Sequence, residues 1–266
     1  MTVTFSRHQG TSPLLISIPH DGRRLPPRIA ARMTEEGQAI PDTDWHVRKL
    51  YNFARLAGAT VIEAKYSRYV VDLNRSPDED APLYDDRPST GLCPLRTFAG
   101  QDIYKAGETV SDRQRARRVE RYWRPYHAEL VRTLEQLKEQ FGYALLWDAH
   151  SIRGTVPLLF EGDLPDLNIG SNNGRSCPKA VEDAVARIAA AAPFSAVVNG
   201  PFRGGFITRH YGDPANRIFA LQLELAQRSY MDEKTLRFDP KRAATLSSTL
   251  SEMLAAFQDS AASDAL

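Results

Sequence analysis

LLWDAHS, residues 145–151, passes from Leu145, Leu146 and Trp147 directly into Asp148, His150 and Ser151. An apolar run that closes on polar groups is how an α/β protein delivers functional side chains to the carboxyl edge of its sheet. The same letters also describe a strand that merely ends and turns. Whether other apolar runs close in the same way decides between the two.

Two of them do. PLLISIPH (13–20) ends in Pro19-His20-Asp21-Gly22, a strand followed by turn chemistry. RIFALQLELAQ (217–227) carries Glu224 among Leu221, Leu223, Leu225 and Ala226, where an ionised carboxylate is costly unless it meets a cation, a donor or an open site. SAVVNG (195–200) reads as a further strand, and ATVIEAKYSRYVVDLN (59–74) as two strands broken at Lys65–Arg68. Between them lie helical periodicities over 41–58, with an aspartate N-cap and Gly58 as its stop, and over 108–141, with a kink at Pro125. Two more cover 178–192 and 240–258. Alternating strands and helices predict an α/β sheet with helices on its faces. Without internal repeat or linker, residues 1–266 are expected to form one domain. The proline-rich, aperiodic stretch 75–107 is its expected active-site loop.

Composition narrows the functional classes. The 266 residues hold 34 basic and 33 acidic side chains, a formal net charge of +1, which offers no general attraction for nucleic acid or an anionic membrane. The one arginine-rich stretch, SDRQRARRVERYWR (111–124), reads as the solvated face of a long helix with Tyr122 and Trp123 turned inward. No apolar run approaches the ~20 residues needed to span a bilayer, and MTVTFSRHQG lacks the regions of a secretory signal. Cys93 and Cys177 are far apart and without CxxC spacing. The expectation is a cytoplasmic protein with neither a nucleic-acid nor a membrane partner, its oligomeric state left open.

His20, His150 and Glu224 then call for a common explanation. Singly, each reads most simply as a structural side chain; three placed alike favour a site. Zinc is the most economical one, because a catalytic ion takes three protein ligands, often two His and a carboxylate, and keeps one position for water. Asp42 and Asp44 in PDTDW both qualify as the carboxylate, although either could instead cap the following helix. Glu224 would be the general base. Arg68, Asn74 and Arg75 in YSRYVVDLNRSP offer two cations and an amide for carboxylate recognition or oxyanion stabilisation. In FRGGFITRHYGDP (202–214), Gly204-Gly205 would let backbone approach a ligand closely. His8, His46 and His127 have no matching partners and are read as structural.

Taken together, SIPHDG, DTDW, YSRYVVDLNRSP, YWRPYHAEL, DAHSI, LPDLNIG, RGGFITRHYG and LQLELAQRSYM resemble, in order from residue 17 to 231, the N-formylglutamate amidohydrolase family. The resemblance implies a three-layer α/β/α domain with a mixed central sheet, related to zinc carboxypeptidases and aspartoacylase-like hydrolases. It also implies hydrolysis of N-formyl-L-glutamate to formate and L-glutamate in histidine degradation. One divalent metal ion, zinc by the same resemblance, would be held by His20, His150 and an acidic residue. Carboxypeptidase-like relatives place that residue three after the first histidine; here Arg23 stands there, so Asp44 is taken as the ligand with Asp42 as its alternative. Glu224 matches the catalytic glutamate and Arg68 the arginine that stabilises the oxyanion. Asn74-Arg75 matches the substrate-binding pair, and Arg209 is added for the second substrate carboxylate. The competing readings are a zinc hydrolase for another N-acyl amino acid or small peptide, and a ligand-binding protein without catalysis.

Overall fold

The computed structural model describes residues 3–78 and 90–264. Residues 79–89 of the expected 75–107 loop therefore lie outside the described residues.

Seven strands make the central sheet: β1 (Phe5–His8), β2 (Leu14–Ile18), β3 (Thr60–Ala64), β4 (Ala144–Ile152), β5 (Leu167–Gly170), β6 (Ala196–Val198) and β7 (Ile218–Ala226). Their spatial order is β1-β3-β2-β4-β7-β5-β6. β3, β2, β4 and β7 run parallel to one another, whereas β1 pairs antiparallel with β3 and β5 antiparallel with β7. The sheet is mixed, as expected. Four parallel central strands mean that four carboxyl ends open on the same edge.

The nine residues of β4 are buried throughout, and their alternation sorts two layers. Leu145, Trp147 and Ala149 face one core with Leu221, Leu223 and Leu225 of β7. The short helices α1 (Pro27–Ala30) and α2 (Glu35–Ala39) lie between β2 and β3 in sequence, and that core is closed by α3 (Val47–Leu50), α4 (Asn52–Leu56), α7 (Lys179–Ala191) and α9 (Pro240–Asp264). Ala144 and Leu146 face the opposite core with Ala220, under α6 (Arg124–Phe141) and α8 (Phe206–Tyr211). Asp148 and His150 share that second face by parity. Trp147 is fully buried, its indole N–H donating to Tyr51 Oη at 2.9 Å.

Several expected elements are corrected. The helix read over 41–58 is the two short helices α3 and α4, and neither Asp42 nor Asp44 is its N-cap: His46 occupies that position at φ 67° without a side-chain cap. Asp21 instead takes the Arg48 N–H at 2.9 Å. Tyr69–Asn74 forms turns rather than a second strand, since Asp72 uses its carboxylate to accept the N–H of Asn74 at 2.8 Å. Leu167–Gly170, not among the strands expected from sequence, is β5. The long helix begins at α5 (Asp112–Arg118), and the expected disturbance at Pro125 appears as a π turn, Val119–Trp123, just before it. Tyr122 and Trp123 are buried as expected. Arg118 is buried too, donating to the Val70 carbonyl and the Tyr104 hydroxyl. Both cysteines are free thiols, and no helix among the described residues is long and apolar enough to cross a membrane.

Candidate functional site

The carboxyl ends of β2, β3, β4 and β7 converge on one cleft. His20 follows β2, Arg68–Arg75 follow β3, His150 stands near the end of β4, and Glu224 near the end of β7. His150 and Glu224 are direct neighbours in the parallel register. The cleft, about 50 Å³ in volume, is lined by His20, Arg68, Asn74, Arg75, His150, Gln222 and Glu224. Phe98, Ile152, Leu159, Phe202 and Gly205 supply the remaining wall.

At its floor, Asp44 sits between the two histidines. Its Oδ2 lies 3.1 Å from Nδ1 of His150 and 3.8 Å from Nδ1 of His20, and the two imidazole centroids are 4.9 Å apart. Each far nitrogen is held by another buried carboxylate. His20 Nε2 lies 2.8 Å from Asp72 Oδ1, and His150 Nε2 lies 2.9 Å from Asp148 Oδ2. Carboxylates behind the Nε2 atoms fix each ring and direct both Nδ1 atoms inward, the arrangement by which metal-ligating histidines are oriented.

Two of these buried acids, Asp72 and Asp44, also pair with one buried arginine, while the third, Asp148, holds His150. Arg68 donates from Nη2 to Asp72 Oδ2 at 2.8 Å and reaches 3.6 Å from Asp44 Oδ1 through Nη1. Its side chain also lies over the Phe98 ring at 4.9 Å. Burial opposes ionisation of Asp72, but the Arg68 charge and the His20 contact hold its carboxyl well below the usual range. Burial likewise opposes Asp44, whose hydrogen bond from His150 and nearby positive charges keep it low. Burial also disfavours the charged form of His150, yet the Asp148 carboxylate raises its pKa well above an ordinary imidazole. Acid therefore outweighs base at the floor.

His20, Asp44 and His150 can each offer one ligand atom, all within 4.8 Å of one another. His20 Nδ1 and Asp44 Oδ1 are buried without a hydrogen-bond partner. Buried ligand atoms without hydrogen-bond partners in a site rich in acid suit a divalent cation better than a packed core. Asp42 is occupied elsewhere: its Oδ2 accepts from the Tyr69 hydroxyl at 2.5 Å and from the Phe98 N–H at 2.8 Å. Arg23, in the position where an acidic ligand was sought first, pairs with Asp21 at 3.0 Å and covers the Trp45 ring.

Glu224 is 6% exposed, which leaves a narrow opening to the cleft. Burial raises its carboxyl to about 8; His150 and Arg68 pull against that, whereas Asp44 and Asp148 add to it. A bound cation would draw it down again. Its oxygen Oε2 accepts from the Gln222 amide at 3.2 Å.

Asn74 is built into the wall. Its Oδ1 accepts the Ile207 N–H at 2.7 Å, and its Nδ2 donates to Asp148 Oδ2 at 3.3 Å. Gly205 explains one of the paired glycines: a Cβ there would come within 2.1 Å of Asn74 Nδ2. The close approach expected of Gly204-Gly205 therefore includes a protein side chain. Arg75 lines the cleft and donates to the Asn74 carbonyl and the Thr90 hydroxyl. Arg209 is not on the lining; on α8, its Nε donates to the Gly204 carbonyl at 2.7 Å.

Seven of the eight residues singled out from sequence thus gather at one site. Asp72, Asp148 and Gln222 were not given roles there. Asp148 and Gln222 stand two residues before His150 and Glu224 on the same strands, so period-two reading could have placed them on the same face. Asp72 was obscured because its segment read as a strand.

A family model described as N-formylglutamate amidohydrolase matches residues 12–231. Proteins from Pseudomonas putida and Pseudomonas aeruginosa, each named N-formylglutamate deformylase, are 53% and 51% identical to this chain. The first alignment covers 88% of this chain and 87% of the relative, the second 88% of each. A solved structure of N-formylglutamate amidohydrolase from Ralstonia eutropha JMP134 superposes with a TM-score of 0.80 at 26% identity, covering 95% of this chain and 97% of that one. An Agrobacterium tumefaciens gene product shares the fold, with a TM-score of 0.72 at 15% identity over 95% of each chain.

Proposed function

The chain belongs to the N-formylglutamate amidohydrolase family, and from that premise we propose that it hydrolyses N-formyl-L-glutamate to formate and L-glutamate. We further propose that it does so with one divalent metal ion, zinc, as a step of histidine degradation in the cytoplasm. The substrate is supported by relatives more than half identical to this chain. The metal reading rests on one observation: Asp44 lies between two inward-facing histidine Nδ1 atoms whose outer nitrogens are held by buried acids.

His20, Asp44 and His150 would hold the ion. Such an ion supplies Lewis-acid polarisation of the acyl oxygen and a lowered pKa for water. Glu224 accepts a proton from the water whose oxygen attacks the formyl carbon, and returns it to the amide nitrogen as the C–N bond breaks. Arg68 directs guanidinium N–H groups at the oxygen on which negative charge develops. Arg75 receives a substrate carboxylate, for which its planar fork is suited. Asn74 shapes the wall beside it. Arg209, outside the lining, supports the segment whose Gly204 carbonyl it holds.

Phe98, Ile152, Leu159 and Phe202 form the apolar part of the cleft wall and bound the space open to an acyl group. Comparing formate release from N-formyl-L-glutamate with acetate release from N-acetyl-L-glutamate tests the substrate assignment. The formyl compound should have the higher kcat/KM by at least the ~10-fold that one methyl group can cost in a tight pocket. Equal values for both would reassign the enzyme to N-acyl amino acids in general.

A further inference from the structure

On β4 and β7, functional and supporting side chains occur in the same order. Asp148 and His150 lie two residues apart on β4, Gln222 and Glu224 two residues apart on β7, and the register sets Asp148 beside Gln222 and His150 beside Glu224. All four project from one sheet face. Asp148 holds His150 through Nε2 at 2.9 Å. Gln222 stands in the same relation to Glu224, its Nε2 donating to Oε2 at 3.2 Å.

The direction of the Gln222 amide is fixed from its other end. Its Oε1 accepts the Gly205 N–H at 2.6 Å, so its NH2 group must turn towards Glu224. Gln222 is 3% exposed, and both contacts are made where water competes little. A glutamate carboxylate on a flexible side chain can otherwise rotate about its terminal torsion. One oxygen engaged by a fixed donor leaves the second directed to the cleft.

We propose that Gln222 is a positioning residue for the proton-transferring Glu224, aligning its carboxylate through Nε2. This rests on the reading of Glu224 as the base. It goes further in assigning an alignment task to a neutral residue that need not touch the substrate's reacting atoms.

Replacement by alanine would orphan the Gly205 N–H and open a void, so two other variants separate the contacts. Gln222→Glu retains an oxygen for Gly205 and replaces the amide donor by a second carboxyl, whose charge also disfavours ionised Glu224; Gln222→Met removes both contacts without adding charge. Formate release, KM, metal content and L-glutamate binding are measured for each, for Glu224→Gln, and for Gln222→Glu combined with Glu224→Gln. Both Gln222 variants should lose at least about tenfold in kcat, with KM and L-glutamate affinity within twofold and metal content unchanged. The double variant should be no slower than Glu224→Gln, because the donor acts only through that carboxylate. Wild-type kcat in Gln222→Glu, or a further loss in the double variant, would overturn the positioning role while leaving Glu224 as base. Wild-type kcat in Glu224→Gln would remove the base assignment itself.

Discussion

Asp44 faces Nδ1 of His20 and His150, and it also accepts the Ser151 N–H at 3.1 Å. Asp42, two residues earlier, has the same chemistry but is held by Tyr69 and Phe98. No local sequence rule could separate them, because the decision is made by residues brought from other elements. By contrast, the shared placement of His20, His150 and Glu224 was legible, since each sets a group that is costly to bury in or at the end of an apolar run. Two outcomes follow at single positions. Glu224→Gln should lower kcat by about 10²–10⁴-fold and retain its metal; turnover near wild type would remove Glu224 from proton transfer. Asp72→Asn should weaken metal affinity by roughly 10–100-fold, as measured by competition with a coloured chelator. Unaltered affinity would show that His20 does not need the Asp72 carboxylate to be a ligand.

Among the elements, the strands that end in the site were readable and the connections were not. The central apolar runs identified β2, β4 and β7, because a parallel strand covered on both faces has little choice but to be apolar. Tyr69–Val71 has the same composition, yet Asp72 bends the chain by capping Asn74, and a side-chain cap competes directly with a ladder hydrogen bond. The four-residue β5 lacked the length for a periodic signal. Gly205 shows how tightly these connections are fitted: its Cα faces Asn74, and its N–H is committed to Gln222. Gly205→Ala should cost about 1–3 kcal/mol of stability through overpacking and should reduce kcat/KM by displacing Asn74. Denaturant unfolding and steady-state kinetics together check this; wild-type values for both would mean that the wall yields without consequence.

For the molecule as a whole, alternation of strand and helix carried the α/β/α arrangement, while strand order depended on packing distant in sequence. His127 shows how α6, α8 and the segment after β3 are joined within one layer. Its Nε2–H donates to the Leu73 carbonyl at 2.9 Å, and its Nδ1 accepts from the Tyr211 hydroxyl at 2.7 Å. The neutral ring satisfies both contacts, and burial lowers its pKa to about 3. The unfolded chain takes up this proton below about pH 6.5 and the folded chain only near 3, so the stabilisation is complete above 6.5 and declines as pH falls through that window. The stability advantage of the wild type over His127→Gln should narrow by about 2 kcal/mol between pH 6.5 and 5, as urea unfolding would measure. A gap independent of pH would show that His127 is not held neutral.

Gathering His20, Asp44 and His150 at one point is the feature on which the functional account depends most. Its most direct test is formate release from N-formyl-L-glutamate by one preparation, assayed with its metal, after chelation with metal content verified, and after one equivalent of zinc is restored. The account predicts that activity disappears with the metal and returns with zinc. Full activity in verified metal-free protein would contradict it.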